Sequence, residues 1–150
     1  MASENYIMGN HVFVKNGLEA VKFYKEAFNL EIRDELWLDK EGYLVHQELY
    51  RDGKLFFSVS DEKHMSETLR KMKCTDGVRP TMLFMVCFDK DEDLRKAYRI
   101  LCNNEILNSH EVLMDNPDGT VKNAVEVLDK YGVFWWLHAP TDWSKSFIPK

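Results

Sequence analysis

The sequence predicts an α+β chain built from two tandem βαβββ modules that form one compact unit with curved mixed sheets. Three observations predict it. Apolar periodicity alternates between the two-residue repeat of strands and the 3.6-residue repeat of helices, in the order strand, helix, strand, strand, strand. That order then recurs in the second half. The halves also match residue by residue. A slide of 74 places Val12 on Val86, Lys22 on Lys96, Tyr24 on Tyr98, Asn29 on Asn103, Glu31 on Glu105 and Ile32 on Ile106. A slide of 78 places Glu48 on Glu126 and Phe56 on Phe134, so one loop insertion reconciles the two offsets.

In the first half, residues 6–14 are rich in β-branched and aromatic types and read as a strand. Asn16-Gly17 ends it. Leu18, Val21, Tyr24 and Phe28, thickened by Ala20, Phe23 and Ala27, form a helical stripe. Residues 30–38 alternate as a strand with one wet face, and Lys40-Glu41-Gly42 turns the chain. Residues 43–50 and 55–60 are strands joined at Asp52-Gly53, a hairpin signal. A short helical stretch over about 62–72 and a turn at Thr75-Asp76-Gly77 lead to the second half. There, strands are expected at 81–88, 105–113, 121–128 and 133–138. A helix is expected from Asp89 to about Asn103, its acidic first turn facing the positive end of the helix dipole. The domain therefore comprises module one (about 6–61), a connector (about 62–80), module two (about 81–139) and a tail (140–150). Each module of about 70 residues is too small to bury much core alone.

The composition narrows the function. The 150 residues are 45% apolar and 30% charged, enough for a packed core. Twenty basic against twenty-five acidic residues leave −5, which argues against a nucleic-acid partner or an anionic membrane surface. No apolar run reaches the roughly 18 residues of a membrane span. The N-terminal stretch lacks the basic and apolar regions of a secretion signal, so a cytoplasmic location is expected. The three cysteines, Cys74, Cys87 and Cys102, are widely spaced and odd in number, against a disulfide framework or structural zinc. Cys87 and Cys102 sit in apolar stretches and read as small core residues. Phosphate-binding, dinucleotide-binding, serine-hydrolase and zinc-protease motifs are absent.

Three stretches carry a family resemblance. Gly17–Phe28, with Ala20 and Phe23-Tyr24, resembles the first helix of the vicinal oxygen chelate superfamily of glyoxalases, bleomycin-resistance proteins and extradiol dioxygenases. Leu44–Asp61 resembles the central hairpin of its PhnB-like branch. Asp129–Trp135 resembles that branch's closing segment. The likeness spans about residues 6–139.

The resemblance implies a cavity that holds a divalent metal in the enzymes and a small molecule in metal-free members. Carried over one at a time, the ligand positions fall near Gly9, Ser58, Leu83 and Trp136, none of them a metal-ligating type. His11 lies two residues beyond Gly9 on the same face. A metal-free, PhnB-like protein binding a small molecule in an aromatic-lined cavity is therefore expected, with no cofactor. The alternative is a divalent-metal-dependent lyase, isomerase or dioxygenase acting on an oxygen-rich metabolite. No glycine-rich methyl-donor loop follows a strand, so methyltransferase chemistry is not expected.

The residue-level expectations follow. His46 and Glu48, two apart on one strand face, are candidates for acid–base catalysis or for a structural polar pair. His11, Phe57, Trp135, Trp136 and His138 are candidates to line the cavity. His11 and Glu126 are the metal candidates, and Glu126 is the repeat mate of Glu48. His64 and His110 read as surface residues. The apolar tail residues Trp143, Phe147 and Ile148 would cover the cavity or a second subunit, and a homodimer is expected.

Overall fold

The computed structural model describes residues 9–67, 84–102, 111–115 and 121–140. The elements in chain order are β1 (His11–Val14), α1 (Gly17–Phe28), β2 (Trp37–Leu38), β3 (Leu44–Arg51) and β4 (Lys54–Asp61). A single 3-10 turn (Glu62–His64) follows, then β5 (Phe84–Cys87), α2 (Asp91–Leu101), β6 (Glu111–Asp115), β7 (Val121–Leu128) and β8 (Phe134–Pro140). The chain divides into two compact units, Met1–Cys74 and Thr75–Lys150, parting inside the expected connector. Each is a βαβββ unit. The sheet orders are β1-β4-β3-β2 and β5-β8-β7-β6, the same order twice. In each, the first strand runs parallel to the fourth, and the other pairs are antiparallel.

The register makes the repeat quantitative. His11 pairs with Ser58 and Phe13 with Ser60; Met85 pairs with Trp136 and Cys87 with His138. Those pairs are related by the slides of 74 and 78 read from the sequence, so the insertion falls between the first and fourth strands of the unit.

Local chemistry explains the boundaries. Asn16 caps α1 by accepting the Glu19 amide at 3.2 Å, and Asn29 closes the helix in the left-handed region at φ 54°. The buried stripe of α1 is Gly17, Ala20, Val21, Tyr24, Ala27 and Phe28. It packs on one face of its sheet, mainly over β3 and β4, where Tyr24 meets the Phe57 ring at 5.1 Å. In the β3–β4 hairpin, Asp52 and Gly53 both take positive φ, 49° and 77°, which a two-residue primed turn requires. In α2, Leu94, Ala97 and Leu101 are buried, and Arg95 pairs with Asp91 one turn back.

Several expectations are corrected. Residues 30–38 do not form one strand. Glu31 bridges Tyr50, Trp37 and Leu38 form the edge pair with β3, and the residues between bow away. Within this stretch Arg33 donates to the Gly53 carbonyl at 2.7 Å and stacks over the Tyr50 ring at 3.8 Å. Cys87 is exposed rather than core, because Val86 on β5 and Phe88 just after it take the buried side, and Cys102, the C-cap of α2, is half-buried. The start of the expected 62–72 helix is a 3-10 turn, Glu62–His64, and residues 68–72 lie outside the described residues. So do Leu83, Cys74, His110, the Thr75-Asp76-Gly77 turn and the tail with Trp143, Phe147 and Ile148. Among the described residues no helix is long and apolar enough to cross a membrane.

Two turns share one construction. Asp39 accepts the amides of Glu41 and Tyr43 at 2.9 and 3.0 Å, and Asp129 those of Tyr131 and Val133 at the same distances. Gly42 and Gly132 then turn at positive φ, 90° and 83°. Their surroundings differ. Asp129 is buried and also accepts the Trp135 indole Nε1–H at 2.8 Å. Asp39 instead meets His64 at 3.0 Å and Lys63 at 3.4 Å, and Lys63 reaches Glu41 and covers the Tyr43 ring. Burial alone would raise the Asp39 carboxyl. The amides of Tyr43 and Glu41, with Lys63, override it and hold the group at about 2, against 3.8 ordinarily. A carboxyl lowered on folding adds stability above its unfolded value and loses it as pH falls. Asp39→Asn should therefore flatten the acid limb of a stability–pH curve between about 4 and 2, measured by urea midpoints.

Candidate functional site

The face of the first sheet opposite α1 collects the polar and aromatic residues singled out in the sequence. Alternation sends Val12 and Val14 to the core, leaving His11 and Phe13 on this face. Strand pairing then sets His11, Ser58 and Glu48 in one row across β1, β4 and β3. His11 Nδ1 lies 2.6 Å from Ser58 Oγ. The His11 and His46 rings stack at 5.3 Å with planes 15° apart, and Phe13 sits 4.5 Å from His11 on the other side. Trp37 on edge strand β2 is the register partner of His46 and is 61% exposed. Glu48 lies 3.9 Å from His46 and accepts a short hydrogen bond from the Tyr50 hydroxyl.

Burial lowers the His11 pKa from its ordinary 6.5, and the neighbouring His46 lowers it further. His11 therefore resists protonation when folded, and its contribution to stability is lost as pH falls below 6.5. In an NMR titration, His46→Asn should move the His11 midpoint part of the way back toward 6.5, the share due to burial remaining.

The structure brings His11, His46 and Glu48 together and adds Ser58, Phe13 and Tyr50. The signal for Tyr50 was available, since it lies two residues beyond Glu48 on the same strand face. The Ser58 contact was hidden, because it depends on parallel register between strands 47 residues apart.

Phe57 and Trp135 are corrected from cavity lining to core. They are 2% and 1% exposed. Phe57 points at α1, and Trp135 is tied by its indole to Asp129. The closing segment that carried part of the resemblance, Asp129–Trp135, is thus a structural turn. Trp136, His138 and Glu126 lie on the second unit's sheet, half-buried. There Met85, Trp136 and Glu126 form the row equivalent to His11, Ser58 and Glu48. His138 is the partner of Cys87, and its ring is 5.6 Å from that of Trp136.

In the register, Ser58 and Trp136 pair with His11 and Met85, two residues beyond Gly9 and Leu83. Taken with these partners, the carried-over positions offer one imidazole, that of His11. That donor set does not fit the divalent centre the resemblance implies. The His11–His46 stack does not repair it, since nearly parallel rings do not aim their nitrogens at one point. Among the described residues, no three His, Cys, Asp or Glu side chains are grouped to hold a metal ion.

No protein-family model matches the sequence, and no curated protein does. Solved structures do. A Pseudomonas aeruginosa protein, PA1353, superposes with TM-score 0.60 at 14% identity, over 92% of this chain and 100% of that one. A PhnB protein from Bacillus cereus gives 0.52 at 19%, over 89% and 99%. The fosfomycin resistance protein FosX from Listeria monocytogenes, solved with Mn(II) and sulfate, gives 0.53 at 15%, over 94% and 95%. Together with the duplicated βαβββ units and their matched register, these likenesses give the chain the fold of the glyoxalase/bleomycin-resistance/dioxygenase group, the vicinal oxygen chelate superfamily.

Proposed function

We propose that the chain is a PhnB-like protein that binds a small planar molecule on its first sheet, at a site that is metal-free. The observation that carries this reading is the ring ladder Phe13–His11–His46, with Trp37 beside it, on the open face of the first sheet. Aromatic faces favour stacking on a flat ligand. Ser58, beside His11, and Glu48, beside His46, supply a hydroxyl and a carboxylate to orient it. His46 and Glu48 are also the groups through which such a site would move a proton. A cytoplasmic homodimer belongs to the same reading, and sedimentation should give twice the chain mass.

The test is a fragment screen of planar aromatics followed by NMR. Hits should shift the Trp37 indole and the His11 and His46 ring signals, and Trp37→Ala should weaken binding. Hits that leave those signals unmoved would overturn the reading.

The second reading, a divalent-metal lyase, isomerase or dioxygenase, draws on the Mn(II) of FosX and on His11 at a ligand position. It predicts that Mn²⁺, Ni²⁺, Zn²⁺ or Fe²⁺ at 100 times its Kd raises the melting temperature of chelator-stripped protein by about 5–10 °C. That rise should vanish in His11→Ala or Glu126→Ala. The metal-free reading predicts no such rise.

A further inference from the structure

We propose that the exposed sheet face of the second unit binds a soft monovalent metal ion, Cu(I), through Met85, Cys87 and His138. The inference is independent of the planar-ligand reading and concerns the other unit. On β5, Val86 and Phe88 turn into the core, so Met85 and Cys87 both turn outward. Met85 is 62% exposed and Cys87 is exposed. Two residues along a strand separate them by about 7 Å. Parallel pairing then sets His138 directly beside Cys87 and Trp136 beside Met85. Neighbouring strands lie about 4.8 Å apart, so a thioether, a thiol and an imidazole rise from one patch.

The donor set decides the ion. Thiolate and thioether sulfur are soft ligands that select Cu(I), and imidazole also suits copper. Hard cations seek oxygen, and the nearest carboxylate in these rows, Glu126, stands beyond Trp136. Trp136, its ring 5.6 Å from His138, adds an aromatic face that attracts a cation. The feature is not a by-product of the fold. The equivalent positions of the first unit hold His11, Phe13 and Ser60, with no sulfur among them. Binding needs no redox step: the Cys87 thiol releases its proton to water as the sulfur–copper bond forms, and copper enters and stays as Cu(I).

The test uses the whole reduced chain under anaerobic conditions, with Cu(I) supplied as its bicinchoninate complex and the loss of that colour as readout. One Cu(I) per chain should transfer, quenching fluorescence that Trp136→Phe removes. Cys87→Ser should weaken uptake about a hundredfold, and Met85→Leu and His138→Gln about tenfold each. The variants Cys74→Ser and Cys102→Ser should leave it unchanged. Met85 is exposed, so Met85→Leu keeps the fold and decides the matter if His138→Gln does not fold. Three results would overturn the proposal: no transfer from the chelator, transfer that survives Cys87→Ser, or transfer indifferent to Met85→Leu, which would mean simple thiol chemistry.

Discussion

Replacing Asp129 with alanine is expected to destabilise the protein by about 3 kcal/mol or more, read as a lower urea midpoint at unchanged slope. Asp129 is 4% exposed, and its carboxylate accepts from three donors: the amides of Tyr131 and Val133 and the indole of Trp135. Alanine would leave all three short of a partner, and each buried donor so orphaned costs about 1–3 kcal/mol. With whole-domain stabilities of about 5–15 kcal/mol, that is a large share. Two companions separate the causes. Trp135→Phe keeps most of the ring in the core and removes one donor, so it should cost less than Asp129→Ala. Asp39→Ala removes the same turn at the surface, where water replaces the lost acceptor, and should cost less than either. Equal costs for Asp39→Ala and Asp129→Ala would show that the turn, not the buried indole bond, carries the effect.

Gly17→Ala is expected to cost about 1–3 kcal/mol, although alanine is ordinarily the better helix former. A Cβ at Gly17 would lie 2.8 Å from Leu44 Cβ, 3.0 Å from Leu44 Cδ2 and 3.2 Å from the Asp61 amide nitrogen. Leu44 Cδ2 can swing aside. Leu44 Cβ and the Asp61 backbone cannot, because Leu44 is paired with Leu38 of β2 and Asp61 with Val14 of β1. The Gly17 amide also donates to Asp61 Oδ2 at 3.0 Å, so moving the helix start would strain that bond. Combining Gly17→Ala with Leu44→Ala should cost less than the two single changes together, since the smaller side chain makes room for the methyl. Additive costs would place the strain at Asp61 instead.

These two sites show where sequence and tertiary structure divide the information. The turn at Lys40-Glu41-Gly42 was legible and the one at 129–132 was not read, although both rest on the same local chemistry: a carboxylate reaches amides two and four residues ahead. That one turn is exposed and the other buried beneath an indole was not legible. The same limit explains Phe57 and Trp135. Aromatic content along a strand is compatible with core and with cavity, and only the packing of a helix or a buried carboxylate against the ring decides between them. The edge segment 30–38 failed for a related reason. Its alternation was real, yet only Glu31, Trp37 and Leu38 pair with β3.

The sequence by itself determined the duplicated βαβββ order, the breaks at Asn16-Gly17, Lys40–Gly42 and Asp52-Gly53, and the grouping of His46 with Glu48. All of these rest on short-range periodicity and on residues a few positions apart. Tertiary structure decided which residues stand beside them. The partnership of His11 with Ser58, its stacking on His46, and the meeting of Cys87 with His138 join residues 47, 35 and 51 positions apart. A one-residue slip in the parallel register would turn each of those side chains to the opposite face, and no local pattern in the chain states that register.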